Sequence, residues 1–166
     1  MRKLIVIAAL LVTGFASYGQ TPTDTLPGDP GGLYIYTIQN MSFGAFSHGN
    51  NGGTVSVTPA GIRSATGDVL LLNLGFQYYN AVFELEAAPG AIISVINGPD
   101  VVLTGSNGGS MTLHIGSHDP VTPFSTVVQP PGRTEIRFGG TLTIGNAATS
   151  PPGVYSGSFY IMFNQE

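Results

Sequence analysis

His114-Ile115-Gly116-Ser117-His118-Asp119 is the densest grouping of metal-ligating residue types in this chain. On an extended strand His114 and His118 stand about 13 Å apart at ~3.3 Å per residue, whereas a shared zinc needs both nitrogens within ~2.1 Å. A tight turn at Gly116-Ser117 would shorten the gap, but no third nitrogen or sulfur ligand is evident, so two surface histidines near a turn are the plainer reading and no metal is expected. Glu84 and Glu86 fall on one strand face about 7 Å apart, a spacing that overlaps the carboxylate pairs of glycoside hydrolases. Such pairs normally face each other across a cleft from different elements, and two glutamates on one strand read more simply as a solvated face. Ser156 and Ser158 lie in a regular Tyr-Ser-Gly-Ser-Phe run, without the sharp elbow, base or oxyanion hole that a serine nucleophile needs. Gly52-Gly53, Gly108-Gly109 and Gly139-Gly140 never precede a helix with a Lys-Ser/Thr pair, so they are not phosphate cradles. Asp68, Asp100, Asn107 and Asp119 lack the spaced acidic run of a calcium loop. Neither an enzyme nor a cofactor is expected.

Aromatic residues are the remaining candidates for contact. Tyr34, Tyr36, Tyr78, Tyr79 and Tyr160 are types that stack on sugars or line a subunit interface. The competing reading is ordinary strand tyrosines, half-buried in a sheet.

The elements that must carry these residues are short strands. Expected segments are Leu33 to Asn40, Ser42 to Phe46, Thr54 to Thr58, Asp68 to Leu74, Asn80 to Ala87, Ala91 to Ile96, Val101 to Thr104, Ser110 to Ile115, Thr134 to Phe138, Thr141 to Ile144 and Val154 to Phe163. Asn50-Asn51-Gly52-Gly53, Asn97-Gly98-Pro99-Asp100 and Asn107-Gly108-Gly109 read as the turns between them. Alternation points Val55, Val57, Phe83, Leu85, Met111, Leu113, Ile115, Ile136 and Phe138 inward. It points Glu84, Glu86, Thr112, His114, Glu135 and Arg137 outward. In the closing run Tyr155, Phe159, Ile161 and Phe163 share one face, and so long an apolar strand must lie against a core. No helical stripe longer than two turns follows the first 19 residues, and many short strands with this pattern mean a sandwich or barrel.

The N-terminus reads as an export signal over residues 1–19: a basic Met1-Arg2-Lys3, an apolar Leu4 to Phe15, and small Ser17 and Gly19 before a cut at Gln20. The apolar run is too short for the ~20 residues that span a bilayer, so no membrane span is expected. Periplasm, cell surface and extracellular space are the compartments that follow. Residues 20–32 hold three prolines and one large apolar residue, Leu26, and read as a flexible leader to a single domain over 33–166. The formal net charge is −4, and removing Arg2 and Lys3 makes it more acidic, which disfavours nucleic acid. With no cysteine, stability must come from burial and the strand ladder. The 24 glycines, 12 prolines and 8% charged residues favour an all-β domain.

Landmarks recur in a specific order: Phe43-Gly44-Ala45-Phe46, Gly53 to Gly61, Arg63 to Gly67, Ala81-Val82-Phe83, Ala88-Pro89-Gly90, Met111-Thr112-Leu113, Gly139 to Leu142 and Gly153 to Phe159. This order resembles the exported bacterial domain-of-unknown-function family 4402. The resemblance implies an immunoglobulin-like, pilin-like antiparallel β-sandwich with kinship to fimbrial subunits, and it carries no catalytic residues over. Within that frame Gly139-Gly140 would let the chain bend between two strands, and Gly157 would leave space opposite a bulky neighbour. The function expected is an exported, non-enzymatic structural or adhesive protein. Its partners would be other surface subunits or itself by strand pairing, with a periplasmic chaperone. A stand-alone module binding glycans or another extracellular ligand is the alternative. Gln20 to Gly32 lacks the alternating apolar pattern of a donated strand, leaving Leu33 to Ile38 as the segment in this chain with apolar residues to donate, or else a self-sufficient sandwich.

Overall fold

A computed structural model describes residues 8–11 and 31–166; the rest of the expected signal and the leader as far as residue 30 lie outside the described residues. Every regular element among them is a strand: β1 (Ala8–Leu11), β2 (Tyr34–Gln39), β3 (Ser42–Val57), β4 (Arg63–Leu71), β5 (Tyr78–Tyr79), β6 (Ala81–Glu86), β7 (Ile92–Asn97), β8 (Val101–Gly105), β9 (Ser110–Asp119), β10 (Phe124–Ser125), β11 (Thr134–Ile144), β12 (Val154–Ser156) and β13 (Ile161–Gln165). The chain is an all-β sandwich. A large, strongly curled sheet runs β2-β6-β11-β9-β8-β12-β1-β3-β4, with β5 on β3, and a small sheet runs β10-β7-β13.

Two apolar layers hold the sheets together. Val55, Val57, Leu85, Met111, Leu113, Ile115, Ile136 and Phe138 are all buried, as alternation requires, and Phe83 is half-buried against them. On the opposite faces His114, Glu135 and Arg137 are exposed, while Glu84, Glu86 and Thr112 are half-buried. Phe163 of the small sheet packs on Phe83 and Phe138 of the large one, at centroid separations of 5.9 and 6.1 Å, in tilted and edge-on geometry. Asn97 Nδ2 donates to the Ile115 and Gly116 carbonyls at 3.1 and 2.8 Å, a polar tie from β7 to β9.

Several expected boundaries are corrected. Ser42 to Phe46 and Thr54 to Thr58 belong to one 16-residue strand. Asn50-Asn51-Gly52-Gly53 is not a reversing turn but an irregularity in that strand, where its register on β4 shifts between His48 and Gly53. Likewise β11 runs unbroken through Gly139-Gly140. The glycines there serve close approach rather than a break: a Cβ on Gly139 would lie 2.8 Å from the Val57 carbonyl oxygen, and one on Gly140 2.7 Å from the Met41 sulfur. The closing run, expected as one strand from Val154 to Phe163, is two strands in different sheets, β12 and β13. Its inward set is still right, with Tyr155, Phe159 and Ile161 buried and Phe163 half-buried, because the chain keeps its period while crossing between sheets. Gly157 sits at that crossing, where a Cβ would come within 2.5 Å of Leu103 Cδ2.

Candidate functional site: the strand that closes the large sheet

The large sheet curls until β11 meets β3, with Gly140 to Ile144 paired to Val57 to Gly53. Hydrogen-bonded neighbours can therefore be followed from β3 through β11, β9, β8, β12 and β1 back to β3. The path is a closed wall of six strands, and β1 is the member that joins its two ends.

On one side β1 runs antiparallel to β3, with Ala8, Ala9, Leu10 and Leu11 opposite Phe46, Ala45, Gly44 and Ser42. On the other it runs parallel to β12, with Ala9 and Leu10 opposite Val154 and Tyr155. Every other strand pairing among the described residues is antiparallel. Without these four residues, β3 and β12 would each present a row of unpaired backbone groups, with no other strand between them.

Local chemistry fixes both edges of this slot. On its far side β3 is held by β5, by the Leu72 amide donating to the Ala45 carbonyl at 3.0 Å, and by Arg63 Nη2 donating to the same oxygen. Ser42 Oγ donates to the Gln77 carbonyl at 2.9 Å and accepts from the Gly44 amide at 3.3 Å. Desolvation lowers the Arg63 pKa from its ordinary value, against the opposing influence of Tyr78. β12 is held on β8 by reciprocal bonds, the Ser106 amide to the Val154 carbonyl at 2.8 Å and the Val154 amide to Ser106 Oγ at 3.1 Å. Tyr155 is fully buried, donates its hydroxyl to the Pro151 carbonyl, and has its pKa raised by burial. Ser150, also buried, accepts at its Oγ from the Gly145 amide and donates to the Ser110 carbonyl at 2.7 Å, while its own carbonyl lies 2.8 Å from His48 Nε2. The β11–β12 connection is thus tied to β9 and β3, and β12 is presented at a fixed distance from β3. Phe46 and Tyr155, the fully buried partners of β1, belong to the core cluster that also holds Met41 and Phe43.

The residues singled out by type alone are scattered. Tyr34 and Tyr36 stand on β2, opposite Glu86 and Glu84. The Arg133 guanidinium lies 3.7 Å over the Tyr36 ring and donates to Glu84 at 3.1 Å, so that ring face is occupied. Tyr78 and Tyr79 form β5, with Arg63 5.2 Å from the Tyr78 centroid, and Tyr160 lies between β12 and β13. Two strands and one connection carry the five tyrosines. Glu84 and Glu86 share Arg133, at 3.1 and 3.9 Å. His114 bonds Asp100 at 2.7 Å, while His118 bonds Thr122 at 3.0 Å and lies beside Phe138. The two histidines therefore turn to different partners along one continuous strand.

Phe43-Gly44-Ala45-Phe46 and Gly153 to Phe159, landmarks in the sequence with no role attached to them there, hold the slot's two walls. Nothing in the sequence linked them to Ala8–Leu11. A sequence profile of DUF4402, a domain of unknown function, matches residues 33–164, which contain both walls but not β1. The chain belongs to this family. No curated protein and no solved structure shows significant similarity to it.

Proposed function

We propose that this DUF4402 protein is an exported, non-enzymatic structural or adhesive subunit of the bacterial surface, joined to its neighbours by strand pairing. The observation that carries this reading is the position of β1. Ala8–Leu11 lies in the middle of the segment read as a cleavable export signal. Cleavage before Gln20 would remove it, leaving a domain whose largest sheet lacks one strand and whose core is open along that line. An unpaired edge of this kind is a template for another chain. A periplasmic chaperone or a neighbouring subunit would supply the missing strand, and the periplasm and cell surface are where such a domain would be stored and used.

The test is to shear the surface fraction from cells producing the protein and resolve it on a denaturing gel, with and without boiling. Bands of higher mass that collapse on boiling to this chain and a second polypeptide are expected. A single monomer band under both treatments, with the protein free in the culture fluid, would overturn the proposal.

A further inference from the structure

We infer that the slot between β3 and β12 takes an extended strand from a second polypeptide, with apolar residues at two positions two residues apart. This rests on the reading that residues 1–19 are removed on export. The strand pairs as β1 does, antiparallel to Phe46-Ala45-Gly44 and parallel to Val154-Tyr155.

The register specifies the chemistry. Cross-strand partners lie on the same face of a sheet, so the donor positions opposite Phe46 and Tyr155, both fully buried, face the core. These are the positions held by Ala8 and Leu10. The position between them stands between Val154, which is 47% exposed, and Ala45, which is fully buried, so it faces away from the core and is open on the β12 side. A charge at either core-facing position would be desolvated against Phe46 or Tyr155 with no partner.

The processed chain has no free segment that meets these requirements. Between Gln20 and Gly32 the proline-free stretch is Thr23-Asp24-Thr25-Leu26, where the residue two before the single large apolar one is an aspartate. Leu33 to Ile38 is already built into the large sheet, with β2 paired to β6 from Tyr34 to Gln39. Donating it would strip the edge of its own domain. The occupant therefore comes from another chain.

The absence of cysteine gives a direct test. The probe is a synthetic peptide, Val-Ile-Ala-Cys-Leu-Leu-Val with lysine flanks, which copies residues 6–12 with a cysteine at the Ala9 position. The targets are the processed chain, residues 20–166, carrying Val154→Cys, or as control Val102→Cys on β8, itself 64% exposed. Disulfides demand matched backbone positions, so efficient cross-linking to Val154→Cys, at least tenfold above Val102→Cys, is expected. A peptide with Asp at the Leu10 position should lose it by at least tenfold. If the processed chain does not fold alone, refolding from urea with the peptide present should recover it, and the Asp peptide should not. Equal labelling of both cysteines, no labelling of a folded Val154→Cys chain, or failure to fold even with the peptide would each overturn the inference. Specific cross-linking combined with a surface fraction that contains only monomers would leave the slot standing and remove the surface-subunit reading.

Discussion

Cutting the chain before Gln20 should cost it a large part of its stability. β1 contributes six registered residue pairs, four to β3 and two to β12. At about one hydrogen bond per pair and ~0.5–1.5 kcal/mol net for each, removing the strand forfeits roughly 3–9 kcal/mol. That is comparable to the whole stability of an ordinary domain, ~5–15 kcal/mol. The buried side chains of Phe46 and Tyr155 add to the loss wherever water reaches them. The assay is urea unfolding of the full chain and of residues 20–166, followed through the tyrosines, since the protein has no tryptophan. The shortened chain should unfold at a much lower urea concentration, or populate no cooperative native state, and should associate as its concentration rises through the exposed edges of β3 and β12. Equal midpoints and slopes for the two chains would refute the reasoning, because they would mean that the wall closes without β1.

Three further outcomes follow from the packing. Gly157→Ala should destabilise by about 1–3 kcal/mol through overpacking, since its Cβ would sit 2.5 Å from Leu103 Cδ2; combined with Leu103→Ala, the loss in urea unfolding should be smaller than the sum of the two single changes. Asn97→Ala removes both donors to Ile115 and Gly116 and should cost about 1–3 kcal/mol, with faster amide exchange in β7 than in β11. Burial lowers the His118 pKa from its ordinary 6.5, so the fold favours the neutral ring. That contribution is complete above 6.5 and is lost as pH falls through the lower folded-state value. Thermal midpoints of the wild type and of His118→Gln, followed from pH 8 to 5, should therefore converge as pH falls; parallel curves would contradict the assignment.

Alternation was legible wherever a strand has one face in the core and the other turned away from it. Leu85, Met111, Leu113, Ile136 and Phe138 declared their burial because Glu84, Thr112, Glu135 and Arg137 separate them. Glycine misled in the long strands. In β3 and β11 the pairs Gly52-Gly53 and Gly139-Gly140 resemble turn signals, and only the proximity of Ile144, Pro59 and Met41 reveals them as places where a side chain would not fit. Gly108-Gly109, at positive φ like Gly52-Gly53, does turn the chain, between β8 and β9. The split of the closing run was hidden because its apolar period continues from Tyr155 to Phe163 while the chain changes sheets. The slot was hidden for a different reason. Its occupant has the composition of an export signal, and no local pattern in Phe43 to Phe46 or Val154-Tyr155 records which strand completes a long-range pairing.

The most direct measurement is hydrogen exchange at the backbone amides of Phe46 and Tyr155, compared between the sheared surface fraction and the processed monomer. The account predicts strong protection in the assembled material and rapid exchange in the monomer, while amides at the centre of β11 remain protected in both. Equal protection of the slot amides in the two samples would contradict it, because the wall would then be complete without a strand from another chain.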